Sequence, residues 1–299
     1  MNTHGFLGTA ALAVTLSGPA FASSITDEFT SFWVLGDSLS GFVGEVGGED
    51  TARFSDGPLW SEQIVLDFEA AGKETDSFAQ GGATAGLVRD DRLDLADQVD
   101  LLEAEEERFG DAPLVAITIG GNDIGAFAEG LDPLVSFQAF GTALTDLISV
   151  GVTDFLLFTV PDVGSSYLLS DLSPDGADDA ARDASIGLNQ LFFDVAVASL
   201  PDEINVSIID AFSLTQTVYN DPGFFGAVTN VPCVIPGFEG GLPDCSLTTF
   251  WDPFHPTALV HDYIADEVRE IYAPIPLPAA GWMLLAGIGG LAALRRRRG

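Results

Sequence analysis

Basic residues are scarce in this 299-residue chain: 11 Lys and Arg stand against 45 Asp and Glu, a formal charge of −34. A surface of that sign repels a polyanion, and no basic or aromatic-basic patch offsets it, which argues against nucleic acid as a partner. Cysteine and histidine are nearly absent too. With two Cys, three His and no C-x-x-C, an ordinary zinc site has too few ligands. No G-x-S-x-G elbow is present, which removes the α/β-hydrolase type of lipase. Internal repeats and long linkers are also missing. The heavy acidity suits a salt-rich medium, where screening reduces self-repulsion.

What is there begins at the ends. Residues 1–22 carry no acidic residue, hold an apolar stretch from Phe6 to Leu16 and a Gly18-Pro19 break, and finish in Ala20-Phe21-Ala22, an A-x-A-like processing site. A signal peptide is expected. At the other end Pro274-Ile275-Pro276-Leu277-Pro278 precedes a sixteen-residue run of apolar and small residues and then Arg295 to Arg298. That run spans roughly 24 Å, short for a lasting anchor, and the arginines would stay inside the cytoplasm. The segment Ile275-Pro276-Leu277-Pro278-Ala279 with its span and arginines resembles the VPLPA-type, PEP-CTERM sorting signals of bacteria. The resemblance implies recognition and removal of the tail by an exosortase-like enzyme; a permanent C-terminal membrane anchor is the alternative. Either way the bulk of the protein is expected outside the cytoplasm. Between the ends, residues 23–274 keep seven basic residues and all 45 acidic ones, a charge of −38. Cys233 and Cys245, in a Gly/Pro-rich loop of an exported protein, are expected to form a disulfide.

In that central region apolar, β-rich runs alternate with helix-like segments, the pattern of a parallel sheet covered on both faces. Strands are expected at 32–35, just before Gln80, and at 114–119, 155–160 and 204–209. Three of these are continuous apolar runs, as strands buried on both sides require. Helices are expected at 59–70, 93–108 (with Leu93, Val99 and Leu102 on one face), 134–149, 180–200 and 258–272. Ligands in such sheets bind at the carboxyl ends of strands, so the residues following each strand carry the chemistry. They are Gly36-Asp37-Ser38-Leu39-Ser40, Gln80-Gly81-Gly82-Ala83-Thr84, Gly120-Gly121-Asn122-Asp123 and, after a long loop, Phe250-Trp251-Asp252-Pro253-Phe254-His255-Pro256.

A serine hydroxyl needs a base within hydrogen-bond reach, itself oriented by a third group. His255 is the candidate base for Ser38. Asp252, three residues earlier and stiffened by Pro253 and Pro256, is the candidate to hold its Nδ1 proton. Acyl transfer also needs oxyanion donors. Asn122 offers a side-chain amide, the Gly81-Gly82 pair a backbone N–H with no Cβ in the way, and Ser38 its own N–H at the start of an expected helix. Asp37 and Asp123 are expected to fix their loops; Asp162 and Asp210 to be structural; His261 to be a surface or packing residue of the last helix. Trp33, Trp60, Trp251 and most Phe are expected in the core, with Phe42, Phe54 and Phe254 candidates for an acyl pocket.

These four segments together resemble the GDSL, or SGNH, hydrolase family, from about Phe32 to Ile271. The resemblance implies a three-layer αβα, flavodoxin-like fold with a mainly parallel five-stranded sheet. It also implies an ester hydrolase without a cofactor, with Ser38, Asp252 and His255 catalytic and Ser38, Gly82 and Asn122 in the oxyanion hole. Gly82 is preferred to Gly81 by its place relative to Thr84. The runs Arg53 to Trp60, Pro161-Asp162-Val163-Gly164 and Asp221-Pro222-Gly223 are similar to the secreted phospholipase/lecithinase/haemolysin branch, although Ser77 and Asp56 depart from it. A lipid or phospholipid ester is then the expected substrate. Acetylated polysaccharide is a competing substrate, and a non-catalytic surface or matrix binding protein on the same fold is the reading from a different class.

Overall fold

Two six-residue strands decide the architecture. Ser-Phe-Trp-Val-Leu-Gly and Pro-Leu-Val-Ala-Ile-Thr are buried at every position, so neither face of the sheet they form meets water. The computed structural model describes residues 24–41, 44–46, 49–89, 91–235 and 244–273. The expected signal peptide, the C-terminal sorting segment and Phe42 lie outside the described residues. Residues Ser24–Ala273 form one compact unit.

In chain order the elements are α1 (Ile25–Glu28), β1 (Ser31–Gly36), a hairpin of β2 (Gly44–Val46) and β3 (Glu49–Thr51), α2 (Trp60–Ala70), β4 (Glu74–Ser77), α3 (Leu95–Glu103), β5 (Pro113–Thr118), α4 (Gly121–Ala128), α5 (Pro133–Ser149), β6 (Asp154–Phe158), α6 (Tyr167–Asp171), α7 (Ala177–Asn189), β7 (Asn205–Ile209), α8 (Ala211–Asn220) and α9 (Ala258–Ile271). The main sheet is wholly parallel, in the order β4-β1-β5-β6-β7. Phe32 and Val34 point into one apolar cluster with Trp60, Ile64 and Phe68 of α2 and Val260 and Ile264 of α9. Trp33 and Leu35 point the other way, to Leu95 and Val99 of α3 and Phe140 and Leu144 of α5. Alternation along β1 thus feeds two cores, and the fold is three-layered, αβα.

The order of strands positions the site. From β1 the chain moves outward to β4, then returns across β1 to β5, so a crevice opens where β1 and β5 end side by side, with Gly36 opposite Thr118. Every expected strand is present. The helix expected over 93–108 stops at Glu103, and 106–108 form a separate 3₁₀ turn. The run Glu103, Glu105, Glu106, Glu107 puts like charge at a helix C-terminus, where the backbone dipole disfavours it. The helix expected over 180–200 starts earlier, at Ala177, and passes at 190–196 into a wider π-helical turn. Helices α4 and α8 and the β2–β3 hairpin are additions to the expected elements. No helix among the described residues is long and apolar enough to cross a membrane.

Candidate active site

The nucleophile candidate sits on one tight turn. Gly36 ends β1 at φ 141°, and a Cβ there would lie 2.2 Å from the Thr118 carbonyl oxygen, so only glycine lets the two strand ends approach this closely. The carboxamide of Gln98 clasps Gly36, accepting from its N–H at 2.7 Å and donating to its oxygen at 2.9 Å. Asp37 then accepts at its carbonyl oxygen from Ser40 and Gly41 (3.1 and 2.8 Å) and at Oδ1 from Leu39 (3.0 Å). Ser38 is therefore held in a turn, not at the start of a helix as the sequence suggested. The Asp37 side chain closes the loop locally and takes the place of a helical continuation.

The base comes from the loop before α9. His255 Nε2 lies 2.8 Å from Ser38 Oγ, and its Nδ1 lies 2.8 and 2.9 Å from the two oxygens of Asp252. Asp252 Oδ1 also accepts the backbone N–H of Phe254 (2.8 Å) and of His255 itself (2.7 Å). One carboxylate thus shapes the turn and orients the ring it carries. Burial would raise this carboxyl, but the bond to His255, its charge and the two N–H groups together hold it below the ordinary value. The Phe54 ring stacks on His255 at 4.8 Å, with Trp251 edge-on to Phe54. Trp251 is accordingly half-buried beside the site and not a core residue, while Trp33 and Trp60 are buried.

The oxyanion candidates lie on two neighbouring loops. Asn122, in the first turn of α4, donates from Nδ2 to the Ala83 oxygen at 2.9 Å, which uses one of the two amide hydrogens. Gly82 adopts φ 84° and has its carbonyl held by Arg89 at 2.8 Å. Around it the loop's donors are consumed: Ala83 N–H by Gln80, Thr84 N–H by Asp94, Ala85 and Gly86 N–H by Asp123, Leu87 N–H by the Thr84 hydroxyl. The N–H groups of Gly81, Gly82 and Ser38 take no acceptor among the described residues. Gly81 packs against the Phe54 ring, where a Cβ would meet it at 2.4 Å.

Two buried aspartates fix these loops, as expected. Burial pushes Asp37 up to about 7, against the opposing bond from Leu39. Burial likewise raises Asp123, which binds Ala85 and Gly86 N–H at 2.9 and 3.0 Å and the Ser136 hydroxyl at 2.6 Å. Asp162 is buried and paired with Arg182 at 2.9 Å, and Asp210 caps α8 through Ser213 N–H at 3.0 Å. His261 is a buried packing residue of α9, whose Nδ1 accepts the backbone N–H of Trp60 at 3.4 Å. Cys233 and Cys245 form a disulfide with Cα atoms 5.2 Å apart. Among the described residues no group of three or more His, Cys, Asp or Glu side chains is arranged to hold a metal ion.

Residues 33–268 match the GDSL-like lipase/acylhydrolase family. The chain belongs to it. Curated relatives include a thermolabile hemolysin from Vibrio parahaemolyticus, 24% identical over 82% of this chain and 64% of that protein. Another is a phosphatidylcholine-sterol acyltransferase from Aeromonas hydrophila, 24% identical over 74% of this chain and 68% of its own length. The match therefore spans about two thirds of these relatives. Among solved structures, a carbohydrate acetylesterase from Sinorhizobium meliloti aligns at TM-score 0.47 and 16% identity, over 81% of this chain and all but 1% of that one.

One part of this GDSL site was not singled out from the sequence. Arg89 makes a two-pronged ion pair with the fully buried Asp94 (2.6 and 2.9 Å), and Asp94 in turn accepts from the Thr84 N–H and hydroxyl. Arg92 packs on the α-carbon of Gly82. The available signal was Arg89 and Arg92 standing within an Asp-rich stretch of a chain so poor in bases.

Proposed function

We propose that the protein is a carboxylic ester hydrolase that works through an acyl-enzyme on Ser38. The observation carrying this reading is the unbroken hydrogen-bonded relay from Ser38 Oγ through His255 to Asp252, every link at 2.8 to 2.9 Å. His255 Nε2 takes the Ser38 proton as Oγ attacks the ester carbonyl, and Asp252 stabilises the imidazolium. The tetrahedral oxyanion is received by the Ser38 and Gly82 N–H groups and by Asn122 Nδ2. Collapse expels the alcohol, which leaves with the proton from His255. Water then attacks the acyl carbon as His255 takes its proton; collapse of this second tetrahedral intermediate breaks the bond to Ser38 Oγ, which recovers the proton from His255, and the acid leaves. Ser38→Ala is expected to abolish hydrolysis of p-nitrophenyl butyrate in folded protein; unchanged turnover would overturn the assignment.

The proposed setting is outside the cytoplasm. Support comes from the signal-like residues 1–22, from the disulfide, which persists in oxidising compartments, and from the arginine-ended tail. The proposed partners in maturation are a signal peptidase at Ala22 and an exosortase-like enzyme at the tail. Exported material should begin at Ser23 and lack the arginine cluster by mass; an intact C-terminus would favour the permanent anchor.

A further inference from the structure

Asp162, in the turn after β6, lines a cavity of about 190 Å³ together with Ser38, Asn122 and His255. Pro161, which precedes it, sits against the neighbouring loop, where a Cβ on Gly121 would lie 3.5 Å from its ring. Gly164 lets the same turn press on α7, since a Cβ there would lie 2.1 Å from the Asp178 carbonyl oxygen. That close approach brings Arg182 of α7 onto Asp162. Asp162 Oδ2 takes three donors, Arg182 Nε, Gln216 Nε2 of α8 and the Ser165 hydroxyl, each at 2.9 Å. Oδ1 is buried and takes none among the described residues. Buried carboxylate oxygens nearly always find a donor, and leaving one unpaired is costly. Oδ2 alone ties the turn to α7 and α8, so holding the turn does not account for the second oxygen.

We propose that Asp162 Oδ1 accepts a hydrogen bond from a hydroxyl of the bound ester, which makes Asp162 a specificity-determining residue for hydroxyl-bearing substrates. The inference rests on the proposed Ser38 acyl-enzyme and names a feature of its substrate. Because Arg182 already balances the carboxylate, a cationic group would gain little for the water it gives up, whereas a neutral donor loses less. Among esters the common neutral donor is a hydroxyl, carried on the acyl part of a hydroxy acid or on the alcohol part of a polyol or sugar ester. An ester without one would leave Oδ1 unpaired in a space that the ester itself closes to water. A site with a buried polar group of this kind rejects the analogue lacking its partner far more strongly than an apolar pocket discriminates by size.

The test is kcat/KM of the disulfide-intact enzyme on matched pairs, each a hydroxyl-bearing ester and its methyl ether, which keeps the oxygen but has no proton to donate. The acyl arm pairs the p-nitrophenyl esters of α- and β-hydroxybutyrate with those of the corresponding methoxybutyrates. The alcohol arm pairs glycerol monobutyrate with its dimethyl ether. In wild type the hydroxyl form should be preferred about tenfold or more in one arm, and that arm identifies which part of the ester reaches Asp162. Asp162→Asn keeps an oxygen for Arg182, Gln216 and Ser165 and turns an amide NH₂ toward the substrate, where it serves hydroxyl and ether alike. The preference should then fall below about threefold, a change that a merely structural role would not produce. No preference in either arm of wild type overturns the inference whether or not the variant folds, and a preference that Asp162→Asn leaves intact overturns it as well. Each of those results leaves Ser38 as the nucleophile. Hydrolysis that survives Ser38→Ala would instead overturn the reading beneath it.

Discussion

Asp252 meets one turn of chain at three places, the two N–H groups that shape the loop and the Nδ1 side of the ring that the loop presents to Ser38. An amide in its place keeps an oxygen for the backbone but cannot stabilise an imidazolium. Asp252→Asn is therefore expected to lower kcat on p-nitrophenyl butyrate roughly 10³- to 10⁴-fold while thermal unfolding stays close to wild type; a loss under tenfold would contradict the role. His261 has a different bearing, on stability. Burial, with some repulsion from His255, depresses it from 6.5 to about 3, so below pH 6.5 the unfolded chain takes a proton that the folded chain refuses. The stability tied to His261 is complete above pH 6.5 and is lost as pH falls toward 3, by about 1.4 kcal/mol per unit. Denaturant titrations at pH 7 and pH 4.5 should show His261→Gln losing less stability over that interval than wild type. Equal losses would mean that His261 is not the coupled group.

Elements differ in how they are held. The loop after β4 carries Gly82, and its position depends on Arg89, which binds both the Gly82 carbonyl and Asp94. Arg89→Ala should lower kcat about tenfold or more with little change in KM, since an oxyanion donor acts on the transition state and not on substrate binding. Lys at 89 should restore only part, lacking the two-pronged geometry. A KM effect alone would make Arg89 merely structural. The buried strands β1, β5 and β6 were legible in the sequence because apolar runs on a doubly covered sheet leave no ambiguity of face. So was the Asp252–His255 spacing, which puts both groups on a single turn. Helix α4 was hidden by Gly121 and Gly125, poor helix formers, and α8 by its Ser, Thr and Val content; packing decides both. The turn at Ser38 was misread because the side chain of Asp37 closes it locally. The Arg89–Asp94 clamp depends on residues brought back onto the loop by the fold.

For the whole molecule, charge is the governing quantity. All seven basic residues of 23–274 are engaged: six arginines in ion pairs with Asp or Glu, and Lys73 with the carbonyl oxygens of Thr26 and Phe29. Among the described residues most Asp and Glu are left without a cation, so the folded surface repels itself. Screening shortens the reach of that repulsion from about 30 Å at 0.01 M salt to about 3 Å at 1 M. The melting temperature should rise by several degrees across that range, and a fall would show that the ion pairs outweigh the excess charge. The same domain brings Ser38, from the end of β1, to a histidine 217 positions later, and on that contact the proposed function rests. Its most direct test is a fluorophosphonate probe followed by peptide mass mapping of the folded protein. A single adduct on Ser38, formed in wild type and lost in His255→Ala, is the expected result; no adduct, or an adduct on another serine, would contradict it.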